Sequence, residues 1–112
     1  MSFDFDGTTY ETTANGHLED QEAWSEDLGR ALAAADDLEL TDRHWDLIKF
    51  LRSEFFDNRE NQPNTRKIGK AMGDIWGDKP SSKDLYDLFP GDPSKQGSKI
   101  AGLPESRRKG GY

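Results

Sequence analysis

A mainly α fold of the α+β class is what the sequence predicts: an N-terminal β-hairpin followed by about five short helices. Three observations carry that reading. Phe3-Asp4-Phe5 and Thr8-Thr9-Tyr10 flank Asp6-Gly7, a dipeptide suited to the positive backbone angles of a two-residue type I′ turn. Residues 40 to 56 form the longest run of helical pattern, with Trp45, Ile48 and Phe55 on one stripe and Leu47 with Leu51 on an adjoining one. Capping residues and breakers then recur too closely for any second helix of that length.

The elements follow in order. The hairpin occupies residues 1–12, where Phe3, Phe5 and Tyr10 give it a face to bury. Asp4, Asp6 and Gly7 do not form a calcium loop, because the third ligand position, the glycine spacing and the closing glutamate do not fit. Asn15-Gly16 marks a second turn, and the helical bundle spans residues 20–102. Ser25 caps a first helix that carries Glu26 and Asp27 in its opening turn, continues through Leu28, Ala31, Leu32 and Ala35, and ends at Asp36-Asp37. Thr41 is the expected N-cap of the central helix, its hydroxyl accepting from a first-turn amide, with Asp42 at the positive helix end.

A polar break at residues 58–63 leads to Asn64, the cap of a third helix with Ile68, Met72, Ile75 and Trp76 at i, i+4, i+7 and i+8. Gly77 suits its C-terminal exit. Ser81 or Ser82 starts a short helix through Leu85, Tyr86, Leu88 and Phe89 that Pro90 stops. Asp92 as cap, Pro93 at the first helical position and Gly102 just past the end frame a last helix from Pro93 to Ala101. Residues 1–104 read as one domain, and 105–112 as a flexible basic arm without apolar period.

Composition bounds the function. Only 32% of residues are hydrophobic and the net charge is -7, values that lean towards disorder, but six Phe, three Tyr and three Trp supply enough buried area for one modest core. No cysteine is present, which excludes disulfides, thiolate metal sites and thiol nucleophiles together. No stretch reaches the roughly 20 apolar residues of a membrane span, and the first residues carry neither a basic segment nor an apolar signal core. The expectation is a cytoplasmic protein with no membrane partner. Residues 1–62 hold 16 acidic and 5 basic side chains, net -11, whereas 63–112 hold 6 and 10, net +4. The first part repels nucleic acid; the last part can seek an anionic partner.

The candidate sites are few. His44, in the first turn of a packed helix, reads as a structural hydrogen-bonding group, and two histidines without thiolates make no metal site. Ser98 would need a base and an oxyanion site to act as a nucleophile, with His44 the sole candidate base; a tolerated small residue on the last helix is the preferred reading. Arg66, Lys67 and Lys70 cluster on the third helix, and Lys95, Lys99, Arg107, Arg108 and Lys109 add positive charge later. No residue pattern asks for a cofactor.

Beyond these local readings, the order of several motifs is distinctive. They are Phe5-Asp6-Gly7, Gly16-His17-Leu18, Trp24, Leu40-Thr41-x-x-His44-Trp45, Ile48-x-Phe50-Leu51-Arg52, Thr65-Arg66, Leu85-Tyr86-x-Leu88-Phe89-Pro90, Pro93-x-Lys95-Gln96 and Lys99-Ile100-Ala101-Gly102-Leu103-Pro104. Together they resemble the DsrC/TusE family over nearly the whole chain. The resemblance implies that the hairpin packs on an orthogonal bundle of short helices with a flexible C-terminal arm. Its members include the sulfur-relay protein TusE of tRNA thiolation and DsrC, which works with dissimilatory sulfite reductase and was once called its gamma subunit.

The resemblance also implies that family chemistry resides in the arm, where a penultimate cysteine carries sulfur and DsrC adds a second one upstream. Here Ser98 stands at the upstream position, and the terminal one falls at Lys109 counted from Ala101-Gly102-Leu103-Pro104, or at Gly111 counted from the C-terminus. A serine hydroxyl has no persulfide chemistry. The expected function is therefore non-enzymatic: docking on, and modulating, a protein partner of the sulfite reductase or sulfur-relay type, with Lys99, Arg107, Arg108, Lys109 and Tyr112 as the contacting residues. The alternative is a transcriptional regulator whose third and fourth helices form a helix-turn-helix-like pair, with Arg66, Lys67 and Lys70 on DNA. The fourth helix argues against it, because Lys83 is opposed there by Asp84 and Asp87.

Overall fold

The structure is a computed structural model that describes residues 2–58 and 61–104. The hairpin forms as its turn dipeptide dictates: Asp6 and Gly7 both take positive φ, 50° and 78°, between strands β1 (Ser2–Phe5) and β2 (Thr8–Glu11). The antiparallel register pairs Phe3 with Tyr10 on the face that leans on the core, while Asp4 meets Thr9 on the other and accepts its hydroxyl proton at 2.8 Å. A bridge between Thr12 and Leu18 prolongs the pairing around Asn15-Gly16, where Gly16 has φ 88°. One short 3-10 turn, Gln21–Ala23, follows and has no counterpart in the sequence reading.

The helices begin where their caps stand. α1 (Glu26–Ala35) is capped by Ser25, α3 (Thr65–Trp76) by Asn64 and α4 (Ser82–Leu88) by Ser81, each accepting a first-turn amide. Gly77 closes α3 at φ 76°. In α4 the cap is reciprocal: Ser81 Oγ accepts from the Asp84 amide at 3.1 Å and Asp84 accepts from the Ser81 amide at 3.0 Å. Hydrogen bonds from the Ser81 amide and then from the Ser81 hydroxyl hold the Asp84 carboxyl below its usual range.

The central helix, α2 (Asp42–Asp57), buries His44, Leu47, Ile48, Leu51 and Phe55. The stripe thus includes His44 rather than Trp45, which stays on the flank, edge-on to Trp24 at 6.5 Å and beneath Arg30 at 5.0 Å. The physical reason is that both nitrogens of His44 are used. Nε2 donates to the Leu88 carbonyl at 2.7 Å, and Nδ1 accepts from the Thr41 amide at 3.0 Å, with the Thr41 hydroxyl 2.8 Å away. The imidazole does what a glutamate does in an ordinary capping box and also ties α2 to the end of α4. Burial lowers its pKa from the usual value, partly opposed by the bond to Leu88, so the ring is neutral.

Around α2 lie Leu28 and Leu32 from α1, Ile68 and Met72 from α3, Leu85 from α4 and Phe89 just past its end. Full burial of each such side chain contributes about 1.5–3 kcal/mol. Ile75, expected on the apolar face of the third helix, is instead 56% exposed at its end. Trp76 ties α3 to α2 by donating from Nε1 to Asp46 at 2.8 Å, with the Arg43 guanidinium 4.5 Å from its ring.

α5 (Lys95–Ile100) packs against α1 and α2. It is shorter than the expected span from Pro93 to Ala101. Asp92, at φ 118°, bonds through Oδ1 to the amides of Ser94 and Lys95 at 2.8 and 3.1 Å, so residues 93 and 94 form a turn leading into the helix. At Gly97 the approach to α2 is close: a Cβ there would stand 2.9 Å from Leu51 Cδ1. Among the described residues no helix is long and apolar enough to cross a membrane.

Candidate functional site

The segment that follows α5 is where the body hands over to the C-terminal residues, and its backbone carbonyls are nearly all accounted for. α5 ends in a Schellman arrangement, with Leu103 N–H donating to Ser98 O at 2.9 Å and Gly102 N–H to Lys99 O at 3.2 Å. Gly102 sits at φ 74°, and a Cβ on it would overlap the Trp24 side chain. No residue with a side chain fits here.

Four side chains from four separate parts of the chain then take the next carbonyls. Trp24 Nε1 donates to Ile100 O at 2.8 Å, Arg52 Nη1 to Ala101 O at 2.6 Å and Gln62 Nε2 to Pro104 O at 2.7 Å. His17 Nδ1 lies 3.0 Å from Leu103 O, a contact in which the ring nitrogen is the donor. At about 1 kcal/mol for each of the other three and about 1.5–3 kcal/mol for the charged Arg52 donor, these bonds hold residues 100–104 by about 5 kcal/mol, a large share of a small domain's total stability.

Arg52 and Trp24 brace one another. The guanidinium lies 4.2 Å from the Trp24 ring and 4.8 Å from that of Phe56, and burial lowers its pKa from the usual value without neutralising it. Trp24 also packs on Gly29, where a Cβ would come within 2.9 Å of its ring. Sequence, local turn and packing thus converge on one effect, a fixed trajectory for the chain as far as Pro104.

The sequence-derived site residues fall in four groups. Ser98 is fully buried and its hydroxyl has no partner among the described residues, while His44 is engaged at Thr41 and Leu88, so no nucleophile–base pair exists between them. Lys99, expected at a partner surface, pairs here with Asp36 at 2.6 Å, both side chains being about three-quarters buried, and Gln96 donates to the same carboxylate. Arg107, Arg108, Lys109, Gly111 and Tyr112 lie outside the described residues.

Arg66, Lys67 and Lys70 are exposed on α3. Beside them α4 presents Lys83 tied to Asp87 at 3.4 Å, so the adjoining helix adds little free positive charge. The clamp itself was missed by sequence reasoning. Trp24, His17 and Arg52 stood out only through the family resemblance, and Gln62, in a polar break, carried no signal at all. Among the described residues no three His, Asp or Glu side chains gather as a metal site would require.

Comparison with known proteins places this geometry. A family model described as "DsrC like protein" matches residues 4–108. The chain is 43% identical over 103 residues to "Sulfurtransferase TusE" of Pectobacterium atrosepticum, covering 91% of this chain and 94% of the relative. It is 42% identical over 100 residues to "Sulfurtransferase TusE homolog" of Haemophilus influenzae, covering 88% and 91%. Among solved structures, the solution structure of Allochromatium vinosum DsrC superimposes with a TM-score of 0.86 at 35% identity, covering 96% of this chain and 98% of that one. The oxidized gamma-subunit of the dissimilatory sulfite reductase (DsrC) from Archaeoglobus fulgidus gives 0.85 at 30% identity with the same coverage.

Proposed function

The chain belongs to the DsrC-like protein family, and from that premise we propose that it acts in cytoplasmic sulfur metabolism as a docking protein that carries no sulfur itself. Its partner is a protein of the sulfur-relay or sulfite reductase type, as the names of its relatives suggest. One observation carries the reading: a clamp of four side chains fixes residues 100–104, while the 112 residues contain no cysteine and Ser98 is sealed in the core.

The mechanism follows from that combination. A segment held at Ile100, Ala101, Leu103 and Pro104 fixes the point from which the residues after it reach a partner's groove. Arg107, Arg108 and Lys109 provide cationic contacts there, and Tyr112 an aromatic one. Sulfur transfer stops at this point, because a persulfide needs a thiolate acceptor and none is supplied. Occupancy without turnover makes the protein a competitor of its cysteine-bearing relatives, not an enzyme.

The DNA-binding alternative draws less support. Lys83 and Asp87 neutralise each other on α4, Asp84 adds negative charge, and the net charge of -7 opposes phosphate binding. The test is a pull-down with purified sulfite reductase or relay proteins, with and without a cysteine-containing paralogue. Binding that the paralogue displaces is expected, and absence of both binding and competition removes the proposal.

A further inference from the structure

The turn that delivers His17 to the clamp contains a reactive dipeptide. Asn15-Gly16 is the one Asn-Gly pair in the chain. The side-chain amide carbon of an asparagine lies within reach of the next residue's backbone nitrogen, and a glycine, having no Cβ, leaves that nitrogen least hindered. Attack by the nitrogen closes a succinimide ring.

Asn15 is exposed, on a turn closed by Gly16 N–H donating to Thr13 O at 3.0 Å, with Gly16 at φ 88°. Two more bonds at Thr13 complete the turn, Thr13 N–H to His17 O at 2.8 Å and His17 N–H to Thr13 Oγ1 at 3.2 Å. Surface turns open locally at far lower cost than core elements, and each opening frees the Gly16 nitrogen. The next residue is the clamp itself: His17 is only 4% exposed, and its Nδ1 donates to Leu103 O at 3.0 Å. Gly16 also rests on the stem of Lys99, where a Cβ would stand 3.4 Å from Cδ. Asn15 and His17 border a cleft of about 460 Å³ shared with Lys95 and Lys99. A change in the main chain at Asn15-Gly16 therefore reaches the clamp through a single peptide unit.

We propose that Asn15 is a site of spontaneous deamidation and isomerisation, and that the isomerised product releases the clamp at Leu103. The Gly16 nitrogen bonds to Asn15 Cγ, the Cγ–Nδ2 bond breaks, and the side-chain nitrogen leaves as ammonia with the proton that the Gly16 nitrogen gave up. One water then opens the ring. Cleavage at the former side-chain carbonyl gives aspartate, and cleavage at the main-chain carbonyl gives isoaspartate, so the net change is one water in and one ammonia out. Both products add a negative charge to the cleft that holds Lys95 and Lys99. Only isoaspartate inserts an extra methylene into the main chain, which a turn tied at both ends to Thr13 accommodates by moving Gly16 and His17. The site stands independently of the docking role of the C-terminal segment.

Incubation of the folded full chain at pH 8, beside the same chain in urea, tests the site by peptide mapping and labelling with an isoaspartyl methyltransferase. Isoaspartate at position 15 should accumulate in both, more slowly in the folded chain because Thr13 O holds the Gly16 amide. Asn15→Gln should abolish the label at that position and keep the fold. The isoaspartyl form, isolated by chromatography, is then compared with Asn15→Asp by hydrogen exchange. Protection of the Gly102 and Leu103 amides should fall about fivefold in the isoaspartyl form, the worth of one neutral hydrogen bond, and stay at the wild-type level in Asn15→Asp. Absence of isoaspartate from the folded chain while the urea-treated chain converts, unchanged protection in the isoaspartyl form, or an equal fall in Asn15→Asp would each overturn the proposal.

Discussion

Replacing Arg52 by methionine keeps most of the aliphatic stem but removes the guanidinium, and with it three interactions at once. The first is the 2.6 Å bond to Ala101 O; the others are the stacks on Trp24 at 4.2 Å and Phe56 at 4.8 Å. A hydrogen bond from a charged donor contributes about 1.5–3 kcal/mol, and a partly exposed cation–π contact about 0.5–1 kcal/mol. Releasing the guanidinium from its partly buried place offsets some of this, as does water reaching the vacated carbonyl. A net loss of about 2–3 kcal/mol remains, which at about 4 °C per kcal/mol for a chain of this size lowers Tm by about 10 °C. Urea denaturation gives the global figure. Hydrogen exchange gives the local one, and the amides of Gly102 and Leu103 should lose more protection than those of Leu47 and Ile48. Arg52→Lys, which keeps the charge but not the planar stack, should fall between. A change below about 0.5 kcal/mol, or exchange at residues 102 and 103 no different from wild type, would refute the idea that this side chain holds the segment in place.

Three further outcomes follow from the same geometry. Because His44 is neutral in the fold with its pKa lowered from 6.5, the unfolded chain binds more protons; its contribution should be complete above pH 6.5 and decline as the pH falls below it. Urea midpoints from pH 8 to 5 should show that slope in the wild type and a flatter one in His44→Gln. Gly102→Ala combines a positive φ of 74° with overlap on Trp24, so about 3 kcal/mol of stability and the native Trp fluorescence should be lost together. Ser98→Ala deletes a buried hydroxyl that has no partner among the described residues and should leave stability equal or raise it by about 1 kcal/mol; a clear loss in calorimetry would reveal a bond to that oxygen.

The sequence carried the fold wherever a feature is local. Asp6-Gly7 fixes its own turn, Ser25, Asn64 and Ser81 cap the helices they precede, and Gly77 and Gly102 stand at the left-handed exits. It failed where the outcome depends on what arrives from elsewhere. His44 and Trp45 are both plausible on an apolar stripe, and only the Leu88 carbonyl, 44 residues away, decides for His44. The last helix starts late because the Asp92 carboxylate bonds to two amides that a regular first turn would present differently. Clamp residues reach their carbonyls across separations of 42 to 86 positions, so no window of sequence contains both ends. The pairing of Lys99 with Asp36, 63 positions upstream, is equally invisible to any local window.

The central claim is that a fixed launching segment delivers residues to a partner without delivering a thiol. It is tested most directly by sulfur transfer from a persulfide donor to a cysteine-bearing paralogue through a purified relay partner, with this chain added in rising amounts. A saturable slowing of transfer is expected, together with no gain in intact mass on this chain. An unchanged rate at saturating concentration, or sulfur appearing on the chain itself, would contradict the account.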